Sequence, residues 1–150
     1  MVKALIYIFI SIIFIDIIIR DRRDKIILNK SNISLLFLGL ILSVIEKDFV
    51  ERILGAAVYV LPFILIYSYG SDFLEKDCMG VGDIKLVISL GFLLKFESFY
   101  KVLLFVNISF IIPLFFLVVK YLFFKKVDKE IAFGPFLILA YILLLFWGEI

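Results

Sequence analysis

The sequence predicts an all-α integral membrane protein with about six transmembrane helices, folded as a single membrane-embedded domain over residues 1–150. Hydrophobic residues make up 65% of the chain, which includes 18 Phe, and the mean hydropathy is +1.19. Both values lie outside the range of soluble globular proteins. Because one helical span needs about 20 apolar residues, a chain of 150 residues has room for about six spans and no sizeable extramembrane domain.

Apolar runs separated by short charged stretches define the individual helices. The first run begins after Lys3 and is too long for the apolar core of a signal peptide, so we expect it to be retained. The second and fourth runs are short, and the long fifth run contains Pro113, which a membrane helix tolerates when neighbouring groups satisfy the freed carbonyl. In chain order, the predicted helices cover residues 4–20, 33–46, 50–69, 83–96, 99–124 and 131–148.

The charges of the connections predict how the helices are oriented in the bilayer. Most Lys and Arg residues fall in or beside alternate connections, at residues 20–32, 70–80 and 121–130. By the positive-inside rule these connections face the cytoplasm and both chain ends face the other side. We therefore expect a multi-pass protein of the cell (inner or cytoplasmic) membrane. The cationic residues fit this topology and do not indicate a nucleic-acid partner.

The residue types that the chain lacks narrow its chemistry. It contains no histidine and one cysteine, Cys78. This composition excludes Ser-His and Cys-His nucleophile pairs, histidine-based zinc sites, internal disulfides and Cys-x-x-Cys metal ribbons. We expect neither a metal nor another cofactor. The hydrolytic machineries that remain are a carboxylate pair and a Ser-Lys pair.

Two aspartates stand at predicted membrane boundaries. Asp21 ends the first helix, and Asp83 begins the fourth, just after Gly80 and Gly82. The loop charges place both on the same, cytoplasmic, face. A carboxylate at the edge of lipid indicates function unless it is only a solvated helix-end charge. Two adjacent carboxyls could hydrolyse a peptide, because one activates a water while the other protonates the carbonyl oxygen or the leaving amine.

Three segments in the right order resemble a known family. Residues 21–29 begin with Asp and end, seven and eight positions later, in Leu-Asn; residues 80–86 read Gly-Val-Gly-Asp-Ile-Lys-Leu; residues 132–136 read Ala-Phe-Gly-Pro-Phe. They are similar to the two aspartate motifs and the Pro-Phe-Gly-Pro-Phe signature of the type IV prepilin peptidases, which belong to the GxGD membrane aspartyl proteases. One departure is Leu28, which occupies the position of the usual proline.

The resemblance implies an aspartic-type endopeptidase that cleaves the short basic leader of prepilin-like precursors at the cytoplasmic membrane face. Asp21 and Asp83 match the catalytic pair. Backbone or motif support is implied for Gly80, Gly82, Lys85, Gly134 and Pro135. Longer family members carry Cys-x-x-Cys motifs and often N-methylate the product, whereas this chain resembles the short, peptidase-only form of pilus and archaeal flagellin systems. We therefore do not expect methylation.

Several neighbouring residues compete for a role in the same site. Asp16 points to a different side of the helix from Asp21, and Asp24 reads as a loop charge. Lys85 could tune the site electrostatically or reach towards lipid phosphate. Ser89 lies one helical turn after Lys85, which raises a Ser-Lys pair as an alternative.

An acidic cluster precedes the second aspartate motif. Asp72, Glu75 and Asp77 are either a solvated loop or contacts that attract the basic leader of a precursor. Two other functions stay open. A presenilin-like protease shares Gly-x-Gly-Asp, although its Tyr-Asp and Pro-Ala-Leu motifs do not occur here. A non-catalytic membrane scaffold or assembly factor would not need the two aspartates to lie close together.

Overall fold

A computed structural model of the protein describes residues 2–74, 79–125 and 131–147. These residues form six α-helices and no strand, which confirms the all-α fold. The helices are α1 (Val2–Asp24), α2 (Asn29–Glu46), α3 (Phe49–Leu74), α4 (Val81–Leu94), α5 (Phe99–Phe124) and α6 (Gly134–Trp147).

The helix ends differ from the predicted ones where polar residues continue a helix beyond its apolar run. Helix α1 continues past residue 20 to Asp24, and α2 begins at Asn29 rather than at residue 33. Hydropathy marks where a helix leaves lipid, whereas the backbone hydrogen bonds continue into water. Asp21 consequently lies within the last turns of α1 instead of ending it, and only residues 25–28 connect α1 to α2.

Helix α4 lies at the centre of the bundle. It packs against α2, α3 and α6, while α1 contacts α2 and α6, and α5 contacts α3 and α6. The α3–α4 crossing is close because glycines meet there. A Cβ atom on Gly55 would lie 2.3 Å from the carbonyl oxygen of Gly91, and a Cβ atom on Gly91 would lie 2.7 Å from that of Gly55. Small residues allow such close backbone contact in membrane bundles.

Four helices of the described part of the chain are long and apolar enough to cross a bilayer: α1, α2, residues Phe49–Gly70 of α3 and residues Phe99–Phe123 of α5. The protein is therefore a multi-pass membrane protein. Helices α4 and α6 have 14 residues each, or about 21 Å at 1.5 Å per residue, which is less than the hydrocarbon thickness of about 30 Å.

A buried ionic cluster holds the end of α4 that lies farthest from Asp83. Arg52 is 2% exposed and donates hydrogen bonds to Asp48 (2.7 Å), to Glu46 (2.6 Å) and to the carbonyl oxygen of Leu93 (3.1 Å). Lys95 lies 3.3 Å from the same Asp48 carboxylate. Burial alone would raise the pKa of Asp48, but the hydrogen bonds and charges of Arg52 and Lys95 outweigh it and hold that pKa below its usual range.

Candidate active site

Asp21 continues the buried face of α1. The buried residues of this helix are spaced at three and four positions: Ile6, Ile10, Phe14, Ile17 and Asp21. This spacing places all of them on one side of the helix, so Asp21 turns into the bundle and is 4% exposed. The neighbouring Arg22 and Arg23 are exposed.

The Asp21 carboxylate accepts a hydrogen bond from the start of α6. The backbone N–H of Gly134 donates to Oδ2 of Asp21 over 2.9 Å. Gly134 is the first residue of α6 and is followed by Pro135, a proline position typical of helix starts. The first N–H groups of a helix have no partner within it, and the helix dipole favours a negative charge there. The carboxylate thus satisfies one of these groups.

Asp83 lies in the first turn of α4 and is folded back over Gly80. Residue 80 is extended, with φ −69° and ψ 139°, and no side chain caps the helix. The Asp83 carboxylate lies against Gly80, where a Cβ atom would lie 3.1 Å from Oδ2 of Asp83. The other oxygen, Oδ1, is buried and has no hydrogen-bond partner among the described residues.

Ile27 lies between the segments that carry the two aspartates. A Cβ atom on Gly82 would lie 3.2 Å from Cβ of Ile27, and one on Gly134 would lie 3.2 Å from Cδ1 of Ile27 and 2.8 Å from Oδ2 of Asp21. The structure therefore brings Asp21, Asp83 and both flanking glycine segments to one end of the bundle.

Lys85 and Ser89 do not form a Ser-Lys pair. The ammonium group of Lys85 donates a hydrogen bond to Oδ1 of Asn29 over 2.9 Å. The hydroxyl group of Ser89 is directed to backbone carbonyl oxygens, that of Asn32 at 3.3 Å and that of Lys85 at 3.2 Å. The alternative of a serine nucleophile activated by lysine is therefore wrong in this geometry. Sequence reasoning also missed Asn29 as the partner of Lys85, although Asn29 ends the first aspartate motif.

The competing aspartates of α1 stay outside the site. Asp16 is partly exposed and pairs with Arg20 over 2.8 Å. Asp24 lies 3.8 Å from Arg23, and its side chain is 54% exposed. Among the described residues, no ion pair or hydrogen bond joins Asp16 or Asp24 to the α4 or α6 segments of the site.

Of the acidic cluster and the single cysteine, only Asp72 lies within the described residues. Asp72 is exposed near the end of α3, whereas Glu75, Asp77 and Cys78 lie outside the described residues. Within the described ranges, no three His, Cys, Asp or Glu residues gather in a group that could hold a metal ion.

Comparison with known proteins identifies the family. The chain matches the model of the type IV leader peptidase family over residues 6–118. The chain belongs to this family. The matched region contains Asp21 and Asp83 and ends before Gly134, so the leader-peptidase match covers both aspartate segments but not the start of α6.

A relative of known function agrees with the leader-peptidase match. The chain is 31% identical over 148 residues to a prepilin leader peptidase/N-methyltransferase from Legionella pneumophila. This alignment covers 96% of the chain and 48% of the relative, so the chain spans about half the length of that protein. No solved structure gives a significant match.

Proposed function

We propose that this protein is a membrane aspartyl endopeptidase that removes the short basic leader of prepilin-like precursors. The observation that carries the proposal is that the segments bearing Asp21 and Asp83, distant along the chain, meet at Ile27, which lies against both Gly82 and Gly134, while Gly134 donates to Asp21. Membership of the leader peptidase family supports a peptidase in preference to a scaffold.

The chemistry follows from two carboxyl groups that share a proton. One carboxylate removes a proton from a water molecule, which attacks the peptide carbonyl carbon, while the other carboxyl protonates the carbonyl oxygen or the leaving amine. Because such groups titrate as a pair, the shared proton belongs to the dyad rather than to one residue. The buried, unpartnered Oδ1 of Asp83 is suited to bind the attacking water, and the N–H of Gly134 keeps the Asp21 carboxylate in place.

We place this site at the cytoplasmic face of the cell membrane. Basic residues flank it: Arg22 and Arg23 in the last turn of α1, then Lys25 and Lys30. The positive-inside rule favours the cytoplasm for such an end. A precursor would then enter with its apolar helix in the bilayer and its basic leader in water.

Cleavage assays with single substitutions test the catalytic assignment. A precursor with a basic leader and an apolar helix is incubated with the solubilised protein, and the product is identified by mass spectrometry of its new N-terminus. Asp21→Asn and Asp83→Asn should each abolish cleavage, and the double variant should be little worse than either one, because a dyad acts as a unit. Asp16→Asn and Asp24→Asn are matched controls and should keep most activity. Full cleavage by Asp21→Asn would exclude it from the dyad.

The acidic cluster is proposed to attract the leader. Replacing Asp72, Glu75 and Asp77 by their amides should raise KM and leave kcat unchanged, because these residues act on encounter rather than on chemistry. The salt dependence of kcat/KM should also flatten, since free charges interact over a Debye length of about 8 Å at physiological ionic strength. An unchanged KM with an unchanged salt response would show that the cluster is only a solvated loop.

A further inference from the structure

Contacts at successive turns attach the first half of α4 to the α1–α2 connection and to the start of α2. Gly82 packs on Ile27, where an added Cβ atom would lie 3.2 Å from the isoleucine Cβ. One turn further, Lys85 donates to the side chain of Asn29. After another turn, the Ser89 hydroxyl lies 3.3 Å from the carbonyl oxygen of Asn32. This row joins the segment after Asp21 to the helix that carries Asp83 in its first turn.

Within this row, the Lys85–Asn29 hydrogen bond joins two side chains, one near the start of α4 and one at the start of α2. Asn29 is the first residue of α2 and directly follows the 25–28 connection, and Lys85 lies two positions after Asp83. The bond is charge-assisted, and such hydrogen bonds are about twice as strong as neutral ones. Side chains two positions apart do not face each other on a helix, so Lys85 reaches Asn29 and not the carboxylate of Asp83.

The geometry points to Lys85 and Asn29 as a pair of positioning residues that sets the distance between the two aspartate segments. This role rests on the proposed function, because its consequence is the separation of Asp21 and Asp83 in the dyad. It differs from a direct electrostatic effect of the lysine, since it requires Asn29 as much as Lys85. It also differs from lipid binding, since the ammonium group is directed to an amide of the protein itself.

Proteolytic kinetics separate these roles. Lys85→Met and Asn29→Leu should each lower kcat by about 10- to 100-fold with KM changed by less than about threefold, because a misplacement of about 1 Å can cost about 100-fold in rate. The double variant should be no more than about threefold slower than the slower single variant, since both changes break the same bond. Asn29→Asp should keep at least half of the activity, because its carboxylate also accepts from the ammonium group. Lys30→Met, one position away and exposed, is the control and should match wild type.

Three kinetic results would overturn the inference. If only Lys85→Met loses activity, the lysine charge acts without Asn29. If the two single losses multiply in the double variant, the residues act independently. If neither variant loses activity, the bond does not position the dyad.

A distance measurement makes the inference testable without cleavage. Spin labels on Ile26→Cys and Val81→Cys, both at exposed positions, in a Cys78→Ser background report the separation of the two segments through dipolar broadening of the continuous-wave electron paramagnetic resonance spectrum. One narrow distance distribution is expected, broadened or shifted in Lys85→Met and in Asn29→Leu but not in Lys30→Met.

The two measurements distinguish the failure of each proposal. If the unsubstituted protein does not cleave a precursor, but the distance between the labels changes in both bond variants, the peptidase function is refuted and the positioning role is retained. An unchanged distribution in both bond variants would refute the positioning role, whatever their activity.

Discussion

Gly134→Ala should move the Asp21 carboxylate while leaving the fold intact. A Cβ atom at residue 134 would lie 2.8 Å from Oδ2 of Asp21 and 3.2 Å from Cδ1 of Ile27. Ordinary contact begins at 3.4 Å, so the carboxylate must retreat by about 0.6 Å, the difference between the two distances. No described glycine has a positive φ, and alanine is a better helix former than glycine. The backbone therefore accepts the change and the effect is local.

The expected result is a selective loss of turnover. If a displacement of about 1 Å costs about 100-fold, then 0.6 Å costs about 10- to 20-fold in kcat, or about 1.4–1.8 kcal/mol of transition-state free energy. Single-turnover cleavage of a precursor measures this loss, and the thermal unfolding midpoint measures stability. The midpoint should stay within a few degrees of wild type.

Gly39→Ala provides the matched control for overpacking. Gly39 lies on α2 and Phe92 on α4, and both are away from the aspartate segments. A Cβ atom at residue 39 would lie 2.6 Å from the ring of Phe92. This change should lower the unfolding midpoint, because forced overpacking costs about 1–3 kcal/mol, and should spare kcat. A wild-type kcat for a folded Gly134→Ala variant would refute the reasoning that the close contact at α6 holds Asp21 in its productive position.

Two further predictions concern stability. The folded state holds the pKa of Asp48 below its usual range. The ionised carboxylate therefore adds to the free energy of unfolding at pH values above its unfolded pKa of about 3.9, and this contribution is lost as the pH falls through the lower pKa of the folded state. Asp48→Asn should therefore show a smaller drop in unfolding midpoint between pH 7 and pH 2 than wild type, and an equal drop would contradict this. Lys47 follows the last residue of α2 with φ 58°, a left-handed conformation that costs a residue with a side chain about 1–2 kcal/mol. Lys47→Gly should raise the free energy of unfolding by up to about 1 kcal/mol, measured by denaturant titration, whereas Lys30→Gly within the helix should lower it.

Much of the fold was predictable because lipid imposes a simple pattern. Apolar runs located all six helices of the described residues, and α5 begins and ends where its hydropathy predicted, at residues 99 and 124. The ends of α1 and α3 and the start of α2 were less predictable, because hydropathy does not register polar helical turns. Helix α6 begins at Gly134, although its apolar run predicted a start at residue 131. The motif spacing indicated both Asp21 and Asp83, and the contacts of Ile27 with Gly82 and Gly134 bring their segments to the same end of the bundle.

The contacts between the aspartate segments could not be predicted from local sequence. Ile27 reads as one more apolar residue, yet it touches both Gly82 and Gly134. Lys85 offered two interpretations, and neither included Asn29, since its bond spans 56 positions. Such pairings depend on how α2, α4 and α6 pack, and helical periodicity describes only one helix at a time.

Helix α4 is held at both of its ends, and this has a consequence for the proposed dyad. At one end the Arg52 cluster binds the carbonyl oxygen of Leu93, and the Gly55–Gly91 contact prevents the helix from moving closer to α3. At the other end, Asp83 depends on the attachment to the α1–α2 connection. A helix fixed at its far end can still pivot, so a small rotation there becomes a larger displacement at Asp83. The contacts near residues 27–32 are therefore the ones that set the position of Asp83, while the N–H of Gly134 sets that of Asp21. Each carboxylate thus has its own anchor, and the separation between them depends on both.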